Sequence, residues 1–313
     1  MRKRVFPILA IPTLVLAFAA LAMMPLSASA ATISSASRHP AHHQPHFFLK
    51  SELHSHARHH SNAIPADTSQ NLQYGGGPVM AGNVNVYAIF WEPDGAVSAN
   101  YNNLILRYFG DVGSSPLYQL NQEYTDSSGG FSTGVTLAGS WVDNSAYPES
   151  PLLDSDIQNE VSNAQQANGW QSSIDNIFFV FTEQNQDICF DSSDSQCASN
   201  SFCAYHNFFG SDTIYATMPY AASFSCNPGS SPNGDDADQT INVTSHEEME
   251  AATDPELNAW LDSGGQEIGD KCAWQFGPTD SQGGDVNWNG DEYILQQEWD
   301  NSIGGCNLGP VGG

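Results

Sequence analysis

The run Thr244-Ser-His-Glu-Glu-Met-Glu-Ala-Ala-Thr-Asp254 holds a histidine followed by glutamates one and four positions later, His246, Glu247 and Glu250. On a helix, positions i and i+4 share a face with Cβ atoms about 5–6 Å apart, so this imidazole and carboxylate could bind one metal ion. Glu247, beside the first ligand, could then act as general base: it would accept a proton from water acidified by the ion and pass it to a leaving amine. The competing reading is an acidic, solvated helix face. Histidine usage weighs against it: eight of the ten lie between His39 and His60, which leaves only His206 and His246 elsewhere.

Catalytic zinc usually takes three protein ligands plus water, so the pair needs a third. Glu267 and Asp270 follow His246 by 21 and 24 residues, in Gly264-Gly-Gln-Glu-Ile-Gly-Asp-Lys-Cys272. Asp270 is the first choice, because Gly269 and Cys272 flank it and would fix its backbone; Glu267 is the second. Both acids could instead cap a helix or hold a turn. His206 could supply a further nitrogen or polarise a substrate carbonyl, or be a buried structural histidine. HExxE resembles the HExxH signature of the zincin metallopeptidases, with a carboxylate for the second histidine, and glutamate-type zincins place a third ligand at about this remove. Zinc is the expected ion. Two carboxylates around it lower its Lewis acidity and admit the harder ions manganese and calcium. Tyr205, Tyr293 and Trp260 adjoin these motifs and read as core or cleft wall.

The chain begins with Arg2, Lys3 and Arg4, an apolar run from Val5 to Met24, and Ala28-Ser-Ala30, the order of a secretory signal with cleavage after Ala30. An uncleaved anchor is the alternative. No other stretch could span a bilayer. Loss of residues 1–30 leaves five basic residues against 35 acidic ones. Such a surface repels nucleic acid and anionic membranes and excludes both as partners. Six cysteines in an exported chain predict disulfides, with fifteen possible connectivities. No CxxC pair is present, which argues against a zinc ribbon or thioredoxin-type site. Cys272 with Cys306 is the pairing that would pin the segment beside Asp270.

Residues 31–71, rich in Ser, His, Pro and Ala, read as a disordered leader or propeptide dispensable for folding, and 72–313 as the globular part. Its histidines could bind divalent metal or report pH. Strands are expected at Val84–Trp91, Asn176–Thr182 and Thr213–Tyr220, and helices at Asn100–Tyr108, Ser115–Glu123 and Leu152–Ala167. The motif helix should begin near Gln239 and stop at Pro255. Asn289-Gly290 signals a type I′ hairpin. This order is α+β: a twisted sheet with a motif-bearing helix and a small, disulfide-stabilised C-terminal subdomain, compatible with a zincin-like arrangement.

Six stretches recur in the order found in the Exordium, or phosphate-induced protein 1, family: Leu72-Gln-Tyr-Gly-Gly-Gly-Pro-Val, Cys203-Ala-Tyr-His206, His246-Glu-x-x-Glu250, Pro255-x-x-Asn-Ala-Trp260, Glu267-Ile-Gly-Asp-x-Cys272 and Trp299 to Cys306. The chain resembles that family over most of Leu72 to Cys306, departing by a shorter link from Trp260 to Glu267 and by its His-rich leader. The resemblance implies a secreted protein, as in plant cell walls, without fixing a reaction. Two functions follow as expectations. The first is a secreted metal-dependent hydrolase, a zinc peptidase acting on extracellular protein or peptide. The second is a non-catalytic extracellular or wall-associated protein that contacts cell-wall material and holds a structural metal or none.

Overall fold

The computed structural model describes residues 44–50 and 70–309. The signal read at residues 1–30 and most of the leader lie outside the described residues. Apolar-rich runs give buried strands, and the sheet joins such strands to one partly exposed edge, β3: β1 (Phe47–Leu49), β2 (Gly82–Trp91), β3 (Ser132–Asp143), β4 (Asn176–Thr182), β5 (Phe202–Phe209) and β6 (Thr213–Met218). Their spatial order is β1-β5-β6-β4-β2-β3. Pairs β2–β3, β2–β4 and β4–β6 are parallel, while β5–β6 and β1–β5 are antiparallel. The result is a mixed, twisted sheet in an α+β chain.

Helices cover both faces, and strand alternation divides the core accordingly. Val84, Val86, Ala88 and Phe90 of β2, with Ile177, Phe179 and Phe181 of β4, point to one face. There they meet helix α1 (Tyr101–Val112) and the motif helix α3 (Ala237–Thr253). Ile89, Phe178, Val180 and Tyr215 point to the other face and pack on Ile157, Val161 and Ala164 of helix α2 (Asp154–Asn168). Gly169, in the left-handed region at φ 73°, ends α2 where a side chain would be strained. The helical spacing read at Ser115–Glu123 becomes a 3-10 helix at Tyr118–Glu123, begun by Ser115 Oγ accepting from the Tyr118 amide at 3.1 Å.

After α3 the chain forms short hairpins. Val286–Trp288 pairs with Asp291–Tyr293 around Asn289 and Gly290, both at positive φ (56° and 95°), as a type I′ turn requires. Glu298–Asp300 pairs with Gly305–Asn307. All six cysteines are joined, Cys189 to Cys197, Cys203 to Cys226 and Cys272 to Cys306, the last as expected. The hairpins belong to the same compact unit as the sheet. Among the described residues no helix is long and apolar enough to cross a membrane.

One part of the leader behaves differently from the expectation for 31–71. Residues Phe47 to Leu49 form the edge strand β1 on β5, with Phe48 fully buried. Trp274 Nε1 donates to the Leu49 carbonyl at 3.2 Å, and the Lys50 ammonium donates to the Ala198 carbonyl. Four apolar side chains among His, Ser and Ala gave too little local signal for a strand; its partners lie more than 150 residues away.

Candidate metal centre

Helix α3 is buried over nearly its whole length, so its polar side chains must find partners inside the protein. His246, Glu247 and Glu250 are each 0% exposed. One turn apart, His246 Nε2 and Glu250 Oε1 stand 3.0 Å from each other. Ligand and capping chemistry meet at the helix end. Asp254 follows Thr253, and its Oδ1 accepts from the Asn258 and Ala259 amides at 2.6 Å each, holding the turn through Pro255. Its backbone carbonyl lies 3.2 Å from His206 Nε2.

That contact orients His206. A carbonyl only accepts, so Nε2 carries a ring proton, and Nδ1 is left to face the acids of the motif helix. Strand β5 aims this nitrogen at α3, 3.5 Å from Glu247 Oε2 and 3.7 Å from Glu250 Oε2. The β5–β6 register sets His206 opposite Ala216, whose small side chain leaves room for the ring.

The loop after α3 brings the remaining acids. Asp270 opens the 3-10 turn Asp270–Cys272, which the Cys272–Cys306 disulfide ties to the last hairpin. Its amide donates to Glu250 Oε1 at 3.0 Å, and its Oδ1 lies 3.9 Å from His246 Nε2. Gly269 is required by close approach: a Cβ there would stand 2.6 Å from His246 Nδ1 and 3.0 Å from Glu250 Oε1. Glu267 is 0% exposed and turns toward the leader, where its Oε2 meets His46 Nδ1 at 3.4 Å. All six residues singled out in the sequence, His206, His246, Glu247, Glu250, Glu267 and Asp270, therefore converge in one cluster.

Two residues that sequence reasoning missed, Gln296 and Phe48, complete it, with His46, which the sequence offered only as one of the leader's metal-capable histidines. Gln296 donates from Nε2 to His246 Nδ1 at 2.8 Å and to the Gly269 carbonyl at 3.1 Å, while its Oε1 accepts from the Trp274 amide at 3.3 Å. The amide is thus fixed with its nitrogen toward His246, and the ring proton sits on Nε2, facing Glu250. Phe48 stacks on the His246 ring, centroids 4.0 Å apart and planes at 8°. His46 closes the cluster from the leader side. None of the three sits at a spacing that marks it in sequence.

Burial favours neutral groups, and the cluster's charges oppose it. Burial lowers the His246 and His206 pKa values, but Glu250 and Glu247 beside them more than offset it, so both rings are held well above their usual range. Burial raises Glu250, and the facing imidazoles outweigh it and hold it low. Burial pushes Glu247, Glu267 and Glu298 upward. Several buried polar atoms lack any hydrogen-bond partner among the described residues: His206 Nδ1, His246 Nε2, Glu250 Oε2 and both carboxylate oxygens of Glu247 and of Glu267. Unpaired buried carboxylates are costly, and a cation is what such a donor set fits. Three trios have ligand atoms within 4.8 Å of one another: His246 with Glu250 and Asp270, His206 with Glu247 and Glu250, and His46 with Glu267 and Asp270.

The class defined so far is an α+β protein with three disulfides and a closed carboxylate–imidazole cluster between its motif helix and a C-terminal loop. The chain is 24% identical over 292 aligned residues to Protein EXORDIUM-like 5 of Arabidopsis thaliana, covering 75% of this chain and 77% of that protein. It is also 24% identical over 289 aligned residues to Protein EXORDIUM-like 3 of the same plant, covering 75% of this chain and 82% of that one. These similarities support kinship with the Exordium family. No protein-family model matches the chain, and no solved structure matches it significantly.

Proposed function

We propose that this chain is a secreted, metal-dependent hydrolase, a zincin-like peptidase acting on extracellular protein or peptide. The observation that carries the reading is Glu247. It is fully buried, follows a ligand-type histidine, and has two carboxylate oxygens without hydrogen-bond partners. A cap or a solvated helix face would be neither fully buried nor left without partners. His246, Glu250 and Asp270 would hold the ion, zinc by donor type, with manganese or calcium compatible with so oxygen-rich a set. A bound divalent ion supplies the Lewis acidity that makes water a nucleophile near neutral pH.

The chain's own groups supply the rest. Glu247 takes the proton from water and returns it to the leaving amine. His206, held by the Asp254 carbonyl, orients that carboxylate from 3.5 Å. An ion held by His246 Nε2 would leave the ring proton on Nδ1, and the Gln296 amide would then turn its oxygen toward the ring, the arrangement that orients most metal-binding histidines. Substrate entry requires the His46–Phe48 segment to move, because Phe48 covers His246. The disulfides and the signal-like start support an extracellular location.

One observation favours a second reading, a non-catalytic extracellular or wall-associated protein: the cluster's histidines and glutamates on β5 and α3 are wholly enclosed, as structural sites are. Glu247→Gln separates the two. It keeps shape and volume, so metal content and melting should stay near wild type, while chelator-sensitive cleavage of a peptide library should fall by about 10²–10⁴-fold. Wild-type protein loaded with zinc or manganese is assayed intact and after limited proteolysis. If neither form cleaves and the variant is indistinguishable from it, the non-catalytic reading replaces the enzyme.

A further inference from the structure

We infer that the centre takes a second divalent cation, held by His46, Glu267 and Asp270, and that this ion fastens the leader segment across the first. The inference rests on the metal-centre reading above. His46 Nδ1 lies 3.4 Å from Glu267 Oε2 and 3.5 Å from Asp270 Oδ2. Two donors each about 2.1 Å from one ion at a tetrahedral angle stand about 3.4 Å apart, so these separations are those of ligands around a common ion. They are long for N–H···O hydrogen bonds, which run about 2.7–3.2 Å.

Glu267 is the independent observation. It is 0% exposed, aimed at His46, and neither of its oxygens has a hydrogen-bond partner among the described residues. His206 Nε2, already committed to the Asp254 carbonyl, stands 3.7 Å from Glu267 Oε1, so a single ion in the inner position leaves this carboxylate without a metal ion of its own. The three trios together contain four carboxylates, Glu247, Glu250, Glu267 and Asp270, and three imidazoles. With every imidazole neutral, one divalent ion leaves two negative charges enclosed and two divalent ions leave none; with a single inner ion, only protons on the non-ligating His46 and His206 could take the place of the second. Asp270 links the positions, with Oδ1 3.9 Å from His246 Nε2 and Oδ2 3.5 Å from His46 Nδ1. A carboxylate with one oxygen toward each ion suits a two-metal centre with ions about 3.5–4 Å apart. The remaining trio, His206 with Glu247 and Glu250, would occupy the carboxylate assigned to proton transfer.

Position follows from the fold. His46 directly precedes β1, whose Phe48 covers the inner histidine, so an ion on His46 clamps the strand in place. The plain alternative is a protonated His46 paired with two carboxylates and no second ion. Full chain is loaded with Mn²⁺ and freed of excess, with intact mass confirming that residues 44–50 are retained. Metal per chain is then counted, and the electron paramagnetic resonance spectrum recorded. Two ions per chain with an exchange-coupled spectrum are expected, falling to one ion and an uncoupled spectrum in His46→Ala and in Glu267→Gln. His46 is 23% exposed at its side chain, so its variant keeps the test usable should the buried Glu267 variant fail to fold. One ion in wild type, retained by His46→Ala, overturns the outer position and leaves the inner one; two ions retained in both variants also overturn it. No ion at all overturns both positions.

Discussion

Truncating Phe48 to alanine tests whether the leader segment is part of the folded protein. The ring is fully buried, 4.0 Å from the His246 ring and 4.5 Å from Trp274. Its strand pairs with residues 202–205, and Trp274 donates to the neighbouring Leu49 carbonyl. A buried Phe→Ala change costs about 3–5 kcal/mol, the removed transfer energy plus the cavity left behind. At about 2–4 °C per kcal/mol for a domain of this size, melting should fall by roughly 6–20 °C. The assay is differential scanning calorimetry on full-length wild type and variant, both in chelator so that metal occupancy does not contribute. The leader can also simply detach, which caps the loss at whatever β1 contributes when docked. A fall of less than about 2 °C would mean that the segment does not stabilise the domain in solution, and that nothing covers His246 there.

Two further outcomes follow from the geometry. Gln296→Glu places an acceptor on His246 Nδ1 and removes the donor that keeps the proton on Nε2, so the variant should melt below wild type in chelator yet gain more on zinc addition. A tenfold gain in affinity from such an orienting group adds about 1.4 kcal/mol at saturating zinc, or roughly 3–6 °C; equal zinc-induced shifts would count against ligation through Nε2. Away from the centre, burial pushes Glu160 up to about 8, with only Asn163 donating to it at 3.3 Å. Its folded pKa lies above the unfolded value near 4.5, so ionisation opposes folding and its contribution is lost as pH rises from about 4.5 to 8. Glu160→Gln should match wild type near pH 4.5 and become progressively more stable toward pH 8 in thermal melts; an offset independent of pH would show that Glu160 does not titrate in this range.

What the sequence made legible was local. The i,i+4 spacing of His246 and Glu250, the stop at Asp254-Pro255 and the run Ile177 to Phe181 each carry their structure in a few adjacent residues, and each element formed where that signal lies. The Asn289-Gly290 turn is the same case, since both positions need positive φ. Strand β3 escaped notice because it is an edge with all but two of its residues at least partly exposed and few large apolar ones. Strand β5 was hidden by the cysteine and histidine within it, although it carries His206 to the cluster. The cluster itself divides the same way. Its ligand-type residues stand out by type and spacing, whereas Gln296, Phe48 and the Asp254 carbonyl act through contacts between segments 48 or more residues apart, which no local pattern records.

The central claim is that His246, Glu250 and Asp270 hold one ion. Anomalous diffraction at the zinc edge, from crystals of the full chain grown with zinc, tests it most directly. The account predicts a peak about 2.0–2.2 Å from His246 Nε2 and from a carboxylate oxygen each of Glu250 and Asp270, with the Gln296 oxygen turned toward Nδ1. Density at the zinc edge only on exposed histidines, with His246 still paired to Glu250 as at 3.0 Å, would contradict it.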